Sequence, residues 1–237
     1  MTSATQAPTA DLSSIYKNGD YLAQNSDWHA DESPWKAGNI LKILQDNRVA
    51  FESLAEVGCG AGRILHELKQ QHPEKCFAGF DISPDAASLW ESIPDNGVDY
   101  RLADFLATDE QFDVLMAIDV FEHVPDHLGF LEQLSKRADH FVFHIPLDFN
   151  MLMLAKEEHT ELRDRIGHLH YFSRVTAEDT LKSCGYEIVD WFYTADYALP
   201  GHERKINGLR KLMYSISPDW AVKVLGGWSM MVLAKPA

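Results

Sequence analysis

The sequence predicts a single doubly wound α/β domain, and three observations carry that prediction. Short apolar runs alternate with amphipathic stretches from about Ser53 to Pro146. One run ends in a glycine-rich turn that opens straight into a helical pattern. A chain of 237 residues is long enough for one such domain with a modest cap. Strands and helices alternating at this spacing argue for a mostly parallel sheet covered on both faces.

The elements follow in order. Met1 to roughly Asp11 is small and polar and is expected to form a tail. Ile15 to Gln45 looks helical and carries Tyr16, Tyr21, Trp28 and Trp35, with a helix start at Ser33-Pro34 and an apolar face at Ile40, Leu41 and Leu44. Leu54 to Val57 is a strand, and Arg63 to Gln71 the helix after the glycines. Cys76 to Ile82 is the second strand, with a helix opening at Ser83-Pro84. Val98 to Leu102 and Phe112 to Ile118 are further strands, Pro125 to Arg137 a helix, and Phe141 to Ile145 the fifth strand. Leu147 to His170 reads as a helical insertion, and Thr176 to Ser183 as a helix closed by Gly185. Tyr186 to Tyr193 and Ser229 to Ala234 are the closing strands. Between them, Thr194 to Trp228 is too long for a tight hairpin and is expected to form a cap. The predicted organisation is an N-terminal helical segment or lid over residues 1–48 and a main domain over 49–237, with insertions at about 147–172 and 194–228.

Charge and cysteine usage narrow the function. The formal charge of −15 disfavours a nucleic-acid partner, because phosphate binding relies on Lys and Arg displacing counterions. His202 to Lys211 is a local basic stretch, read as a solvated helix face. Cys59, Cys76 and Cys184 suit neither a disulfide framework nor a zinc knuckle, so a cytoplasmic location is expected. No run approaches the roughly 18 apolar residues of a bilayer span, so no membrane partner is expected.

The most informative segment is Glu56-Val57-Gly58-Cys59-Gly60-Ala61-Gly62-Arg63. A strand entering a glycine turn and leaving as a helix lets a ligand approach the backbone at the carboxyl edge of the sheet. Two acids sharpen the reading. Asp81 ends the next strand, where a carboxylate can take both ribose hydroxyls. Glu56 lies two residues before the first glycine, where it would repel a pyrophosphate and attract a cation. S-adenosyl-L-methionine carries a sulfonium and an ammonium and no phosphate. The Gly-x-Gly-x-Gly spacing agrees, and it departs from the dinucleotide pattern.

With these segments in place, the chain resembles the class I (Rossmann-like) S-adenosylmethionine-dependent methyltransferases of the small-molecule type. EVGCGAGR (Glu56 to Arg63), GFDIS (Gly79 to Ser83), ADF (Ala103 to Phe105), FDVLMAIDVFEHVPD (Phe112 to Asp126) and HIP (His144 to Pro146) carry the resemblance. It implies a seven-stranded sheet with an antiparallel last strand. It also implies that Glu56, Gly58 and Gly60 line the methionine moiety, that Asp81 holds the ribose, and that Ile82 lies against the adenine. Asp104 would accept from the adenine amino group, Phe105 would flank the ring, and Asp119 and Val120 would floor the sulfonium.

Methyl transfer needs alignment above all, with a base to take the acceptor's proton. His123 and His144 follow the fourth and end the fifth strand, at the rim of the cleft. His168, His170 and Tyr171 lie in GHLHYFS, which resembles a segment shaping the acceptor pocket in related enzymes. All five are candidates, each with a structural role as the alternative. Asp119, Glu122 and His123 could offer a metal ligands, Mg²⁺ for preference, but an adjacent Glu and His diverge on a regular helix. No metal is therefore assigned. Lys36 is a candidate for the cofactor carboxylate, and Trp191, Trp220 and Trp228 for cap core. The expected activity is methyl transfer to a small molecule, with oxygen the foremost acceptor atom. A peptide or protein acceptor, an NAD-dependent oxidoreductase and a non-catalytic cofactor-binding partner are the alternatives. The cap around Pro200 to Trp228 offers a surface for a homodimer.

Overall fold

The structure is a computed structural model that describes residues 30–199 and 204–237. The expectations placed on Tyr16, Tyr21, Trp28, Pro200 and His202 lie outside the described residues.

Seven strands form one sheet in the order β3-β2-β1-β4-β5-β7-β6. They are β1 (Ser53–Val57), β2 (Cys76–Asp81), β3 (Asp99–Leu102), β4 (Phe112–Ile118), β5 (Ala138–Pro146), β6 (Tyr186–Ala195) and β7 (Trp228–Pro236). β1 to β5 pair in parallel, and β7 runs antiparallel between β5 and β6. The strand order reverses at β1, which places a ligand crevice at the carboxyl ends of β1 and β4.

The sheet is buried on both faces, and the period of two decides what each face receives. Leu115, Ala117, Phe141, Phe143, Met230 and Val232 enter one core with Phe80, Phe121 and Tyr186. Leu54, Val114, Met116, Val142, Met231 and Leu233 enter the other, beneath α1 (Ser33–Asp46) and α2 (Arg63–Gln71). Pro34 occupies the first turn of α1, where its missing donor is harmless, and Ala37, Ile40, Leu41 and Leu44 form the buried stripe. Glu56 shares its parity with Leu54, and His144 with Val142. Both polar side chains are thereby delivered to the α1 side.

The elements after the glycine turn largely match expectation. α3 (Pro84–Trp90) is capped by Ser83, whose hydroxyl accepts from Ala86 N at 3.3 Å. Two boundaries move. The helix expected from Pro125 is α4 (His127–Leu134), because Asp126 caps it by accepting from Gly129 N. β5 begins at Ala138, before its apolar run, since β4 pairs with it from Phe112 onward.

The insertion after β5 contains α5 (Met151–Lys156) and α6 (His159–Ile166), followed by α7 (Arg174–Ser183), which has a Ser173/Thr176 capping box. The cap between β6 and β7 contains α8 (Asn207–Ile216) and α9 (Pro218–Leu225). Trp228 is buried and stacks on Tyr214 at 5.5 Å, whereas Trp220 is 60% exposed and so is not cap core. The basic stretch is not wholly a solvated face either. Arg210 is buried, donating to Leu225 O at 3.1 Å with its guanidinium over Trp228. Among the described residues, no helix is long and apolar enough to cross a membrane.

Candidate active site

The glycine turn is tied down from every side. Gly58 and Cys59 donate to Phe80 O at 2.8 and 3.1 Å, and Gly60 N donates to Asp81 Oδ2 at 2.8 Å. Trp90 Nε1 donates to Gly60 O, and the Tyr100 hydroxyl to Gly62 O. Gly58 has φ +75°, and a Cβ there would meet Val120 Cγ2 at 2.7 Å. Only glycine allows this approach. The turn, Ser33, Lys36, Glu56 and Asp119 line one cleft at the crevice.

Glu56 is 1% exposed, and its Oε2 has no hydrogen-bond partner. Burial pushes its carboxyl up to about 8, with Asp81 and Asp119 adding to the rise and the Lys36 charge opposing it. A buried, unsatisfied carboxylate costs free energy that a cationic ligand would recover. Asp81 is also buried, accepting from Gly60 N and, through Oδ1, from Ser83 N at 2.8 Å. Burial raises its carboxyl against the pull of those donors.

Asp119, at φ +55°, turns the chain out of β4. Its Oδ2 meets Lys36 Nζ at 2.9 Å, and Lys36 also reaches Glu32 at 2.9 Å. This ammonium is therefore engaged by acids of the protein itself, rather than standing free for a cofactor carboxylate. Asp119 Oδ1 accepts from His144 Nδ1 at 2.6 Å, and the Thr194 hydroxyl lies 2.8 Å from His144 Nε2. Burial alone would raise Asp119, but the charges of His144 and Lys36 hold it well below the ordinary carboxylate range. His144 is 3% exposed with both nitrogens occupied, so its observed role is to position Asp119.

The remaining candidates divide. Ile82 is 48% exposed. Asp104 caps a 3-10 turn by accepting from Leu106 N at 2.9 Å. Phe105 is 1% exposed and packs 5.0 Å from the Phe80 ring, so it belongs to the core that backs this region. His170 Nε2 donates to Val124 O at 3.0 Å, and the Tyr171 hydroxyl donates to His159 O at 2.7 Å. Both are spent on holding loops. His123 and His168 come together, with ring centroids 4.8 Å apart. His168 Nδ1 donates to Asp148 Oδ2 at 2.8 Å.

Beside this histidine pair lies Glu122, 1% exposed, with neither carboxylate oxygen hydrogen-bonded. Burial raises its carboxyl well above the ordinary range, and Asp119 and Asp148 add to that. Asp196, at the end of β6, is raised to about 6 by burial, with Asp148 adding to the rise and Arg210 opposing it. Sequence reasoning missed Asp148, Thr194 and Asp196. Asp148 follows β5, Thr194 lies in β6 and Asp196 in the turn after it, and none stands in a local motif.

Comparison with known proteins agrees with this fold. A methyltransferase-domain family matches residues 22–190. A probable chloroplastic tocopherol O-methyltransferase of Oryza sativa subsp. japonica is 23% identical over 190 residues, covering 76% of this chain and 48% of its own. The chain thus spans about half the length of the curated relative it matches. The magnesium protoporphyrin IX methyltransferase from Synechocystis PCC 6803, solved with bound SAM, superposes with a TM-score of 0.65 at 13% identity, covering 98% of this chain and 100% of that one. The N-methyltransferase NodS from Bradyrhizobium japonicum WM9, solved with S-adenosyl-L-homocysteine, gives 0.57 at 16% identity, covering 92% and 99%. At these identities the two structures share the fold.

Proposed function

The chain belongs to the methyltransferase-domain family, and from that premise we propose that it transfers a methyl group from S-adenosyl-L-methionine to an oxygen of a small-molecule acceptor. The observation that carries the cofactor is Glu56, a buried carboxylate with an unpartnered oxygen beside a glycine cradle. It fits a ligand with an ammonium and no phosphate, and it would repel a pyrophosphate. The two relatives solved with S-adenosyl ligands lend support.

When bound, the cofactor supplies a methyl group made electrophilic by a sulfonium. The protein's own residues do the rest. Glu56 attracts the ammonium, Gly58 and Gly60 let the amino-acid end approach the backbone, and Asp81 accepts from the ribose. Asp119, fixed by Lys36 and His144, presents negative charge at the floor. Alignment of this kind is the larger part of what the displacement requires. The acceptor enters beyond Asp119, where Glu122, His123 and His168 lie beside the insertion after β5. Oxygen is favoured because those groups can receive or stabilise the loss of a hydroxyl proton.

Calorimetric titration with S-adenosylhomocysteine, and in parallel with NADH and NADPH, tests the cofactor. Micromolar binding of S-adenosylhomocysteine alone is expected, and binding of a dinucleotide alone would overturn the reading. Transfer of labelled methyl to a panel of hydroxylated, amino and peptidic acceptors then tests the atom.

A further inference from the structure

We propose that Glu122, His123 and His168 form a divalent-metal site on the acceptor side of the cleft. Each offers a ligand atom, and those atoms lie within 4.8 Å of one another; among the described residues this is the single such cluster found. No ion is needed to see the site, because its most buried member is unsatisfied. Neither oxygen of Glu122 has a hydrogen-bond partner, and His123 Nε2 lies 3.9 Å from its Oε1.

Two local devices bring the three ligands together. Phe121–His123 is a single 3-10 turn after an irregular Val120 (φ −123°, ψ −58°), and the side chains leave it with His123 Nε2 3.9 Å from Glu122 Oε1. The carbonyl of Glu122 then accepts from both Leu169 N and His170 N, at 2.8 and 3.1 Å. Those bonds pin the His168 segment to the turn. Asp148 completes the arrangement by accepting from His168 Nδ1, which fixes the tautomer and leaves the lone pair on Nε2. A carboxylate behind a histidine is the usual outer support of a metal ligand.

The donor chemistry selects the ion. Two imidazoles and one carboxylate suit Mn²⁺, Fe²⁺, Co²⁺ or Zn²⁺, whereas Mg²⁺ prefers oxygen throughout. Asp119, tied to Lys36 and His144, stands outside the ligand set. Three protein ligands leave coordination positions open to an acceptor. Resting on the methyl-transfer reading, the ion's task is to bind the acceptor's hydroxyl oxygen and ease loss of its proton to solvent. No change of oxidation state is involved.

The test uses the full chain, stripped with a chelator and titrated with Co²⁺, followed by calorimetry and by the visible ligand-field spectrum. S-adenosylhomocysteine is titrated separately into the same samples. Expected is one saturable Co²⁺ site with nitrogen ligation, weakened about 100-fold in His168→Ala and in Glu122→Gln, with S-adenosylhomocysteine affinity unchanged in both. Asp148→Asn is expected to weaken Co²⁺ about 10-fold, as loss of an outer support does. Absence of a saturable site in the unaltered chain overturns the proposal, as does undiminished binding in both ligand variants. Co²⁺ binding by a chain that ignores S-adenosylhomocysteine would uphold the metal site and remove the cofactor reading.

Discussion

Asp119 Oδ1 accepts from His144 Nδ1 at 2.6 Å while its Oδ2 meets Lys36 at 2.9 Å, so one carboxylate joins β4, β5 and α1. Removing one partner from such a group leaves charge behind. Lys36→Met is expected to cost about 3 kcal/mol in urea unfolding at pH 7. The folded carboxyl lies below its unfolded value, so its contribution is present above about pH 4 and fades as pH falls further. The destabilisation should therefore shrink in acid. A cost independent of pH would mean that Lys36 acts through packing alone.

Glu56 has the opposite sign. Its folded carboxyl is raised to about 8, so the ligand-free protein favours the protonated form, and stability from this group is lost as pH climbs from about 4.5 through 8. Binding of an ammonium should ionise it. S-adenosylhomocysteine is expected to release about one proton at pH 7, read by calorimetry in buffers of different ionisation enthalpy. Glu56→Gln should abolish that release and weaken binding about 10- to 100-fold.

Asp81 holds the turn through Gly60 N and Ser83 N, and in the proposed function it also takes the ribose. Asp81→Asn offers one acceptor oxygen where two were used. It should lower stability by about 1–3 kcal/mol and weaken S-adenosylhomocysteine at least about 10-fold. Full affinity in the variant would show that the ribose lies elsewhere.

Gly58 and Gly38 make a matched pair. Gly58→Ala would strain a positive φ and press on Val120, costing about 3 kcal/mol. Gly38 lies in α1 with nothing within 4 Å of an added Cβ, so Gly38→Ala should stabilise by about 0.5–1 kcal/mol. Denaturant midpoints of the two variants should move in opposite directions.

The glycine-turn side of the cleft was legible in the sequence because it is local. Glu56, the glycines and Asp81 lie at strand ends marked by composition, and hydrophobic period fixes which face they meet. Ser33-Pro34 and Ser83-Pro84 announce helix starts by the same short-range chemistry. On the histidine side, His123, His144 and His168 were singled out, but their partners were not legible. Asp148 meets His168, and Thr194 meets His144, only after long connections have folded back. The divergence expected of Glu122 and His123 assumed a regular helix, whereas the chain here has an irregular Val120 and a short turn that leave the two side chains 3.9 Å apart. Lys36 was legible as a cleft residue, but its partners Glu32 and Asp119 were not.

The placement of β7 between β5 and β6 has a consequence for inheritance. The residues that line the glycine-turn cleft precede residue 120, whereas Asp148 and His168 follow Pro146 and Thr194 and Asp196 come with β6 and the turn after it. A crossover near the codon for Pro146 would therefore exchange Asp148, His168, Thr194 and Asp196 together while the glycine turn, Glu56, Asp81, Glu122 and His123 stayed in place. Descendants of such a gene could change what they modify while keeping what they modify it with.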